Sequence, residues 1–168
     1  MTYLTRTLTF NTSKIYYTDT SFGGEFEVMM DWEDSLMSAS AAYVCENGGD
    51  ILEIGYGMGI SAGYIQSHSI SSKSNVNIIT SSWYDVKDSL STYDGIFYDT
   101  FGDQNMKNFS SSLSNLANPG AKTTWWNNNI TETNYYNIPN VNYQAITVDP
   151  PSNSYFNNTV YYLPKKEF

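Results

Sequence analysis

The chain contains few cysteines, histidines and basic residues, and these shortages exclude several kinds of site. Cys45 is the single cysteine among 168 residues, so no internal disulfide is possible and no cysteine cluster binds a metal. It lies in a helical pattern of small apolar residues, where we interpret it as a buried core residue. The single histidine, His68, stands among serines without a positioned nucleophile, so we predict a solvated side chain and no catalytic triad. We predict no metal site.

Positive charge is scarce, with 8 basic against 17 acidic residues, a net charge of −9 and a pI near 4.3. A nucleic acid or an anionic membrane surface is held by clustered lysine and arginine, which this chain lacks. The composition therefore favours a small-molecule substrate, neutral or cationic, and argues against nucleic-acid and membrane partners.

Long hydrophobic runs are also missing, since no apolar stretch approaches 18 residues and no signal segment opens the sequence. We therefore expect a cytoplasmic protein. Hydrophobic residues make up 40% and aromatic residues 16% of the chain, enough for one folded domain despite many Asn and Ser residues. The Asn, Ser and Tyr bias is typical of compact AT-rich genomes, viruses included.

The N-terminal part alternates apolar with polar residues over 3–10 and 14–18, which predicts an extended arm or hairpin with a turn at 22–24. We assign residues 1–27 to this arm and residues 28–168 to a single domain. No internal repeat or shift in composition marks a second domain.

From residue 31 the pattern predicts alternating helices and strands. One predicted helix begins at Asp31 and ends before Asn47-Gly48-Gly49. Further helices are predicted over about 60–67, 84–90 and 106–116, and Asn118-Pro119-Gly120 is the stop signal of the last one. Predicted strands cover 51–54, 76–80, 95–98 and 123–126, with an antiparallel pair at 141–148 and 159–163. This order predicts an α/β fold with a mostly parallel sheet and a C-terminal antiparallel hairpin.

Glycines at every second position follow the short apolar strand Ile51–Ile54. The loop Gly55-Tyr56-Gly57-Met58-Gly59 leaves backbone N–H groups free for a ligand, and glycine permits close approach and positive φ. Ile60 stands where the dinucleotide pattern G-x-G-x-x-G needs its third glycine. The loop is closer to the E-x-G-x-G-x-G pattern of class I S-adenosylmethionine (AdoMet)-dependent methyltransferases. From spacing alone, an ordinary glycine-rich turn remains an alternative.

Ligands of such sheets bind beyond the carboxyl ends of the strands. Glu53 and Gly55 lie at the end of one predicted strand, and Asp99 follows the strand at 95–98. We therefore expect these residues to meet in one crevice. A carboxylate directly after four buried residues, as at Asp99, is costly unless it has a partner or a role.

Several segments in this order resemble the guanidinoacetate N-methyltransferase family and its arginine-methylating relatives. The matching segments are Val28-Met29-Met30-Asp31-Trp32-Glu33 with Met37, Ile51 to Met58, Trp83 before Asp85-Val86, Tyr93 to Thr100, Asn118-Pro119-Gly120, and Thr147 to Pro151 through Tyr161-Tyr162. The resemblance implies a truncated, Rossmann-like class I methyltransferase with AdoMet as cofactor.

The resemblance also implies roles for individual residues. The AdoMet-binding set would be Met29, Met37, Glu53, Gly55, Tyr56, Gly57, Met58, Gly59, Ile60, Ser82, Trp83 and Asp99. Glu33 and Asp99 would grip the guanidinium of the acceptor, because two carboxylate forks match its paired N–H donors. Asp99 would act as the base that takes a proton as the nitrogen attacks. From the residues alone, Glu33 also fits a helix first turn, and Trp83, Met29 and Met37 also fit a core.

The sequence departs from this family after the glycine loop. No acidic residue occurs from Ile60 to Ser82, so the carboxylate that binds both ribose hydroxyls is not identifiable, and about one strand and two helices are missing. The predicted activity is methylation of a small guanidino or amino compound. The alternatives are a relative that has lost catalysis and serves as an interaction module, and an enzyme that degrades AdoMet. The exposed edge of a shortened sheet predicts a possible homo-oligomer.

Overall fold

The computed structural model describes residues 6–21, 23–68, 76–100, 105–127 and 136–168. Three strands, β1 (Thr9–Phe10), β2 (Lys14–Asp19) and β3 (Gly24–Met30), form an antiparallel sheet in that order. These strands lie where the sequence predicts an extended arm or hairpin, and the predicted turn residue Phe22 and residues 1–5 lie outside the described ranges. β3 extends across the predicted boundary at residue 27, and the division into arm and domain stays a prediction.

A 3-10 turn at Asp31–Glu33 leads into α1 (Asp34–Val44), and the chain then turns at Gly48 and Gly49, both with positive φ. The strand β4 (Ile51–Ile54) and the helix α2 (Ile60–Ser67) follow at the predicted positions. The next elements are α3 (Trp83–Val86), β5 (Tyr93–Tyr98) and α4 (Phe109–Leu116). The chain ends with β6 (Ala117–Trp125), β7 (Asn142–Thr147) and β8 (Val160–Glu167).

The second sheet has five strands in the order β4-β5-β6-β8-β7. β4, β5 and β6 are parallel, whereas β8 is antiparallel to both β6 and β7. The predicted fold class, a mostly parallel sheet with a C-terminal antiparallel hairpin, is confirmed. Among the described strands, β4 lies at one end of this sheet, so the strand that delivers the glycine loop has a neighbour on one side only.

Two predicted features differ from the structure. Residues 76–80 are exposed and form no strand, because β-branched residues favour strands only where a pleated surface can pack them. The helix α4 ends at Leu116, as predicted, but Asn118-Pro119-Gly120 do not form the predicted stop. Those three residues belong instead to β6, where the pairing with β5 shifts register. Proline has no N–H group to donate to a neighbouring strand. It is tolerated at such an irregularity because the regular ladder of hydrogen bonds is interrupted there.

The hydrophobic core lies on both faces of the larger sheet. Side chains alternate along β5, so Phe97 packs with α1 and α2, while Ile96 and Tyr98 pack with α4. The second cluster is rich in aromatic residues, and Tyr98 stacks on Phe109 with 4.0 Å between the ring centroids. Cys45 is buried in the first cluster, as interpreted from its sequence context. No helix in the described ranges is long and apolar enough to cross a bilayer.

Candidate active site

The carboxyl ends of β4 and β5 meet, and this brings the glycine loop next to Asp99. The Asp99 N–H donates a 2.8 Å hydrogen bond to the carbonyl oxygen of Ile54, directly before Gly55. Gly55 has a φ of 95°, and a Cβ at this position would collide with the carbonyl oxygen of Asp99. Only glycine allows both the left-handed backbone and this close approach. The expected convergence of Gly55 and Asp99 is thus present.

The other glycines of the loop also occupy positions where a side chain would be unfavourable. Gly57 and Gly59 have φ values of 52° and 74°, and Gly59 directly precedes α2. A Cβ on Gly57 would collide with the sulfur of Met29, which accepts a 3.1 Å hydrogen bond from the Met58 N–H. The last residue of the loop leads into α2, whose first residue is Ile60.

A cavity of about 280 Å³ opens between this loop and the N-terminal sheet. Its floor is formed by the loop and the end of β5, with Gly55, Tyr56, Gly57, Ser61, Asp99 and Thr100. Its opposite wall is formed by Leu8, Phe10, Ile15, Val28 and Met29. Phe10 and Tyr56 line the cavity while remaining 66% and 67% exposed, so a bound ligand would cover further aromatic surface.

Glu33 lies in the turn that follows β3 and is not among the residues that line this cavity. Its side chain is only 3% exposed, and its Oε1 accepts hydrogen bonds from the Met30 N–H at 2.8 Å and from the Tyr155 hydroxyl at 2.5 Å. Burial, together with the nearby negative charge of Asp99, raises the pKa of Glu33 to about 8. The two carboxyl groups predicted to form a clamp are therefore electrostatic neighbours.

The other two carboxyl groups at the strand ends also have raised pKa values. Burial, with a contribution from the charge of Glu53, raises the pKa of Asp99 to about 7. Burial likewise raises the pKa of Glu53, against the effect of a hydrogen bond donated by the Ser61 hydroxyl. Both side chains are half-buried, and acids with raised pKa values and no cation beside them in the described part of the chain are a common feature of functional sites.

Aromatic side chains pack around Glu33. Trp32 stacks on Tyr155 and Phe156 with centroid distances of 6.1 and 5.6 Å, and Trp126 meets Tyr155 edge-on at 5.9 Å. Tyr161 is fully buried, and its hydroxyl accepts a 2.7 Å hydrogen bond from the Asn127 N–H. Apolar walls of this kind lower the local dielectric constant and so strengthen the interaction between a cation and the two acids.

Of the remaining predicted residues, some line the cavity and others lie in the core or on the surface. Met29 lines it, whereas Met37 is 1% exposed and packs in the core formed by α1 and α2. Met58 and Ile60 are partly buried against the same core. Ser82 is exposed at the start of α3.

Trp83 is buried in the aromatic core, with edge-on contacts to Tyr98 and Phe109 at 5.5 and 6.4 Å. This packing matches the core alternative that the sequence left open for Trp83. His68 directly follows α2 and is partly exposed. In the described ranges, no group of three or more His, Cys, Asp or Glu residues is placed to hold a metal.

Tyr155 was not predicted from the sequence, although it contacts Glu33, a predicted site residue 122 positions earlier in the chain. The composition conceals it, because Tyr155 is one of 15 tyrosines and lies in a segment rich in Asn and Ser. The Pro150-Pro151 pair before it marks a loop but does not indicate which loop side chain points inward.

The residues around the cavity fit only part of AdoMet. The carboxylate of Asp99 suits the positively charged sulfonium. In the glycine loop, the N–H groups of Met58 and Gly59 already donate to the Met29 sulfur and the Tyr56 carbonyl. The cavity volume lies near the lower end for small-molecule sites. The 76–80 segment is exposed and has no acidic residue, so in the described structure this segment offers no carboxylate for the ribose hydroxyls.

Comparison with known proteins agrees with the site geometry. The sequence model of the family described as guanidinoacetate N-methyltransferase matches residues 17–80, which include Glu33 and the glycine loop. The chain is also 28% identical over 193 positions to protein arginine N-methyltransferase 2 of Kluyveromyces lactis. This match covers 84% of the chain and 47% of the relative, so the chain spans about half the length of that protein. The matched stretch is longer than the chain itself, so the relative contains segments that this chain lacks.

Proposed function

We propose that the chain is a shortened class I methyltransferase-like protein with an N-methyltransferase-like function, and that its acceptor is a small guanidino or amino compound methylated from AdoMet. The observation that carries this proposal is the pair Glu33 and Asp99. Asp99 lines the cavity beside the glycine loop, and its charge raises the pKa of buried Glu33, which comes from a distant part of the chain; this supports the proposal.

The cofactor would supply the methyl group on a positively charged sulfur. In our proposal the glycine loop holds the methionine portion, and Asp99 faces the sulfonium from the end of β5. Glu33 and Asp99 then attract a cationic acceptor, because a sulfonium and a guanidinium together balance two ionised carboxylates. The surrounding aromatic rings exclude water and fix the orientation of the acceptor nitrogen.

Asp99 is the proposed base. A guanidinium nitrogen has no free lone pair, so a proton must leave as the new N–C bond forms. A carboxylate with a pKa near 7 matches this task near neutral pH better than an ordinary aspartate does. Glu33, buried and held by two donors, would orient the acceptor.

Two measurements test this function. Calorimetry with AdoMet should show binding, and mass spectrometry should show S-adenosylhomocysteine and a methylated product with guanidinoacetate, free arginine or a primary amine. Asp99→Asn should lower turnover at least about 100-fold, within the range expected for loss of a general base. Asp85→Asn, an exposed acid on α3, is the matched control and should retain activity. Absence of AdoMet binding at millimolar concentration would refute the proposal.

A second candidate is a methyltransferase fold that no longer catalyses and serves in assembly. It is favoured by β4 at the sheet edge, by the exposed segment 76–80 and by the missing ribose carboxylate. A free strand edge is a template for pairing with another chain, a second copy included. Turnover that Asp99→Asn abolishes would exclude this candidate. The same assay without an acceptor tests the third alternative, because an AdoMet-degrading enzyme would consume the cofactor alone.

A further inference from the structure

The loop that carries Tyr155 is held in place by its own hydrogen bonds. The Asn153 side chain accepts the N–H groups of Tyr155 and Phe156 at 3.0 and 2.8 Å, and it donates to the Phe156 carbonyl at 2.6 Å. An asparagine that bonds the following backbone in this way stabilises a tight turn. Tyr155 is therefore presented by a preorganised loop.

A second contact anchors this loop to the N-terminal sheet. The N–H and the hydroxyl of Ser154 both donate to Oε2 of Glu27 on β3, at 3.1 and 2.7 Å. Glu27 is buried, and hydrogen bonds to a buried carboxylate are among the stronger ones in proteins. Tyr155 and Ser154 thus connect the loop to two acids that lie six residues apart along the N-terminal half.

Both hydrogen bonds that Glu33 accepts go to the same oxygen. The Tyr155 hydroxyl and the Met30 N–H converge on Oε1, and in the described structure no donor reaches Oε2. An oxygen that accepts two hydrogen bonds has no lone pair left for the carboxyl proton. When Glu33 is protonated, its proton therefore resides on Oε2.

The groups facing Glu33 are acidic or neutral. Asp99 follows β5, Tyr155 belongs to the loop, and Tyr161 belongs to β8. Glu53, on β4, acts electrostatically on Asp99. The described residues place no cationic side chain among them. Only a cation from outside would favour the ionised form of Glu33 strongly.

We propose that Tyr155 is a positioning residue: it holds Glu33 by Oε1, so that Oε2 and its proton point toward the acceptor. When a cationic acceptor binds, Glu33 releases that proton. The claim that an acceptor cation binds at Glu33 rests on the proposed function. In this step the O–H bond at Oε2 breaks, the proton passes to the buffer, and an N–H of the bound guanidinium donates to the resulting carboxylate. This proton is distinct from the one that Asp99 takes during methyl transfer.

The first experiment uses the ligand-free protein and needs no methyltransferase activity. Carbon NMR of labelled glutamate carboxyl groups should show Glu33 titrating with a pKa well above the ordinary range, near 8. Tyr155→Phe keeps the stacked ring but removes the donor to the charged form, so the pKa of Glu33 should rise further. Tyr64→Phe is the matched control, because it removes a tyrosine hydrogen bond to Asp34 and should leave the Glu33 titration unchanged. An identical pKa of Glu33 in Tyr155→Phe and in the wild type would overturn the role of Tyr155.

The second experiment measures proton release. Methylguanidinium is titrated at pH 7 into the protein loaded with S-adenosylhomocysteine, in phosphate and in MOPS buffers with different ionisation enthalpies. We expect the wild type to release up to about one proton per site more than Glu33→Gln, in which Asp99, with a pKa of about 7, can still lose a proton to the buffer. In Tyr155→Phe the affinity should fall about 3- to 10-fold at pH 7, as a pKa rise of up to about one unit requires, and should recover at higher pH. Binding with equal heat in both buffers would refute proton release, whereas no binding at all would refute the proposed acceptor class and leave the NMR result on Tyr155 intact.

Discussion

The backbone N–H of Met58 donates a 3.1 Å hydrogen bond to the sulfur of Met29, and this joins the glycine loop to the N-terminal sheet. Met29 lies on β3, four residues before Glu33. The contact places the turn that carries Glu33 next to the loop that ends at α2. The N-terminal strands are therefore part of the candidate site.

Gly57→Ala should damage this contact, because a Cβ at position 57 would collide with the Met29 sulfur and force a residue with positive φ into strain. We expect at least about tenfold weaker AdoMet binding, which is about 1.4 kcal/mol, by calorimetry. Gly63→Ala is the matched control. Gly63 lies within α2 with no atom close to its missing Cβ, so this change should stabilise the helix by up to about 1 kcal/mol. Equal AdoMet affinity of the two variants would contradict the prediction.

Glu33→Gln should change how stability depends on pH. The pKa of Glu33 is raised on folding, so the folded state holds more protons than the unfolded chain between about pH 4.5 and 8. The contribution of Glu33 to stability therefore falls as the pH rises through this window. The glutamine variant avoids the buried charge, and we expect it to be about 2 kcal/mol more stable than the wild type at pH 9, or about 4–8 °C in Tm.

The measurement is a series of thermal melts from pH 5 to pH 9. The difference between Glu33→Gln and the wild type should be smallest at the acid end, where folded Glu33 is still protonated and carries no buried charge. Asp31→Asn, an exposed acid in the same turn, serves as control and should follow the wild-type curve. A constant offset between Glu33→Gln and the wild type at every pH would show that burial of charge is not the cause.

Ser154→Ala should loosen the loop that carries Tyr155. The change removes the hydroxyl bond to buried Glu27, and we expect a loss of about 1–2 kcal/mol in the free energy of unfolding, measured in urea. Ser152→Ala alters an exposed serine two positions earlier in the same loop and should stay within about 0.5 kcal/mol of the wild type. Similar losses in both variants would argue against the anchoring role of Ser154.

Phe10→Ala tests whether the N-terminal wall of the cavity contacts the cofactor. Phe10 lines the cavity but is largely exposed, so a ligand that fills the cavity would bury its ring. Loss of this apolar contact should weaken AdoMet binding about 3- to 10-fold. Phe168→Ala, at the opposite end of the chain, should not change the affinity. An unchanged Phe10→Ala affinity would place the ligand away from this wall.

Elements with strong local signals in the sequence were predictable. β4, the glycine loop and α2 were correctly placed, because a short apolar run, positive-φ glycines and helical spacing all act within a few residues. The strand predicted at 76–80 was wrong. Its β-branched residues fit a strand by propensity, but a strand needs a neighbour, and no local pattern shows whether one is available.

In the candidate site, too, some features follow from the sequence and others only from the tertiary structure. The sequence by itself determined that a carboxylate ends β5 beside a glycine loop, since parallel strands bring their carboxyl ends to one edge. Only the tertiary structure decided that Tyr155 covers one oxygen of Glu33 and that Ser154 anchors the loop to Glu27. These contacts join residues more than 120 positions apart, and they depend on how two sheets and a loop pack together, which spacing along the chain does not encode.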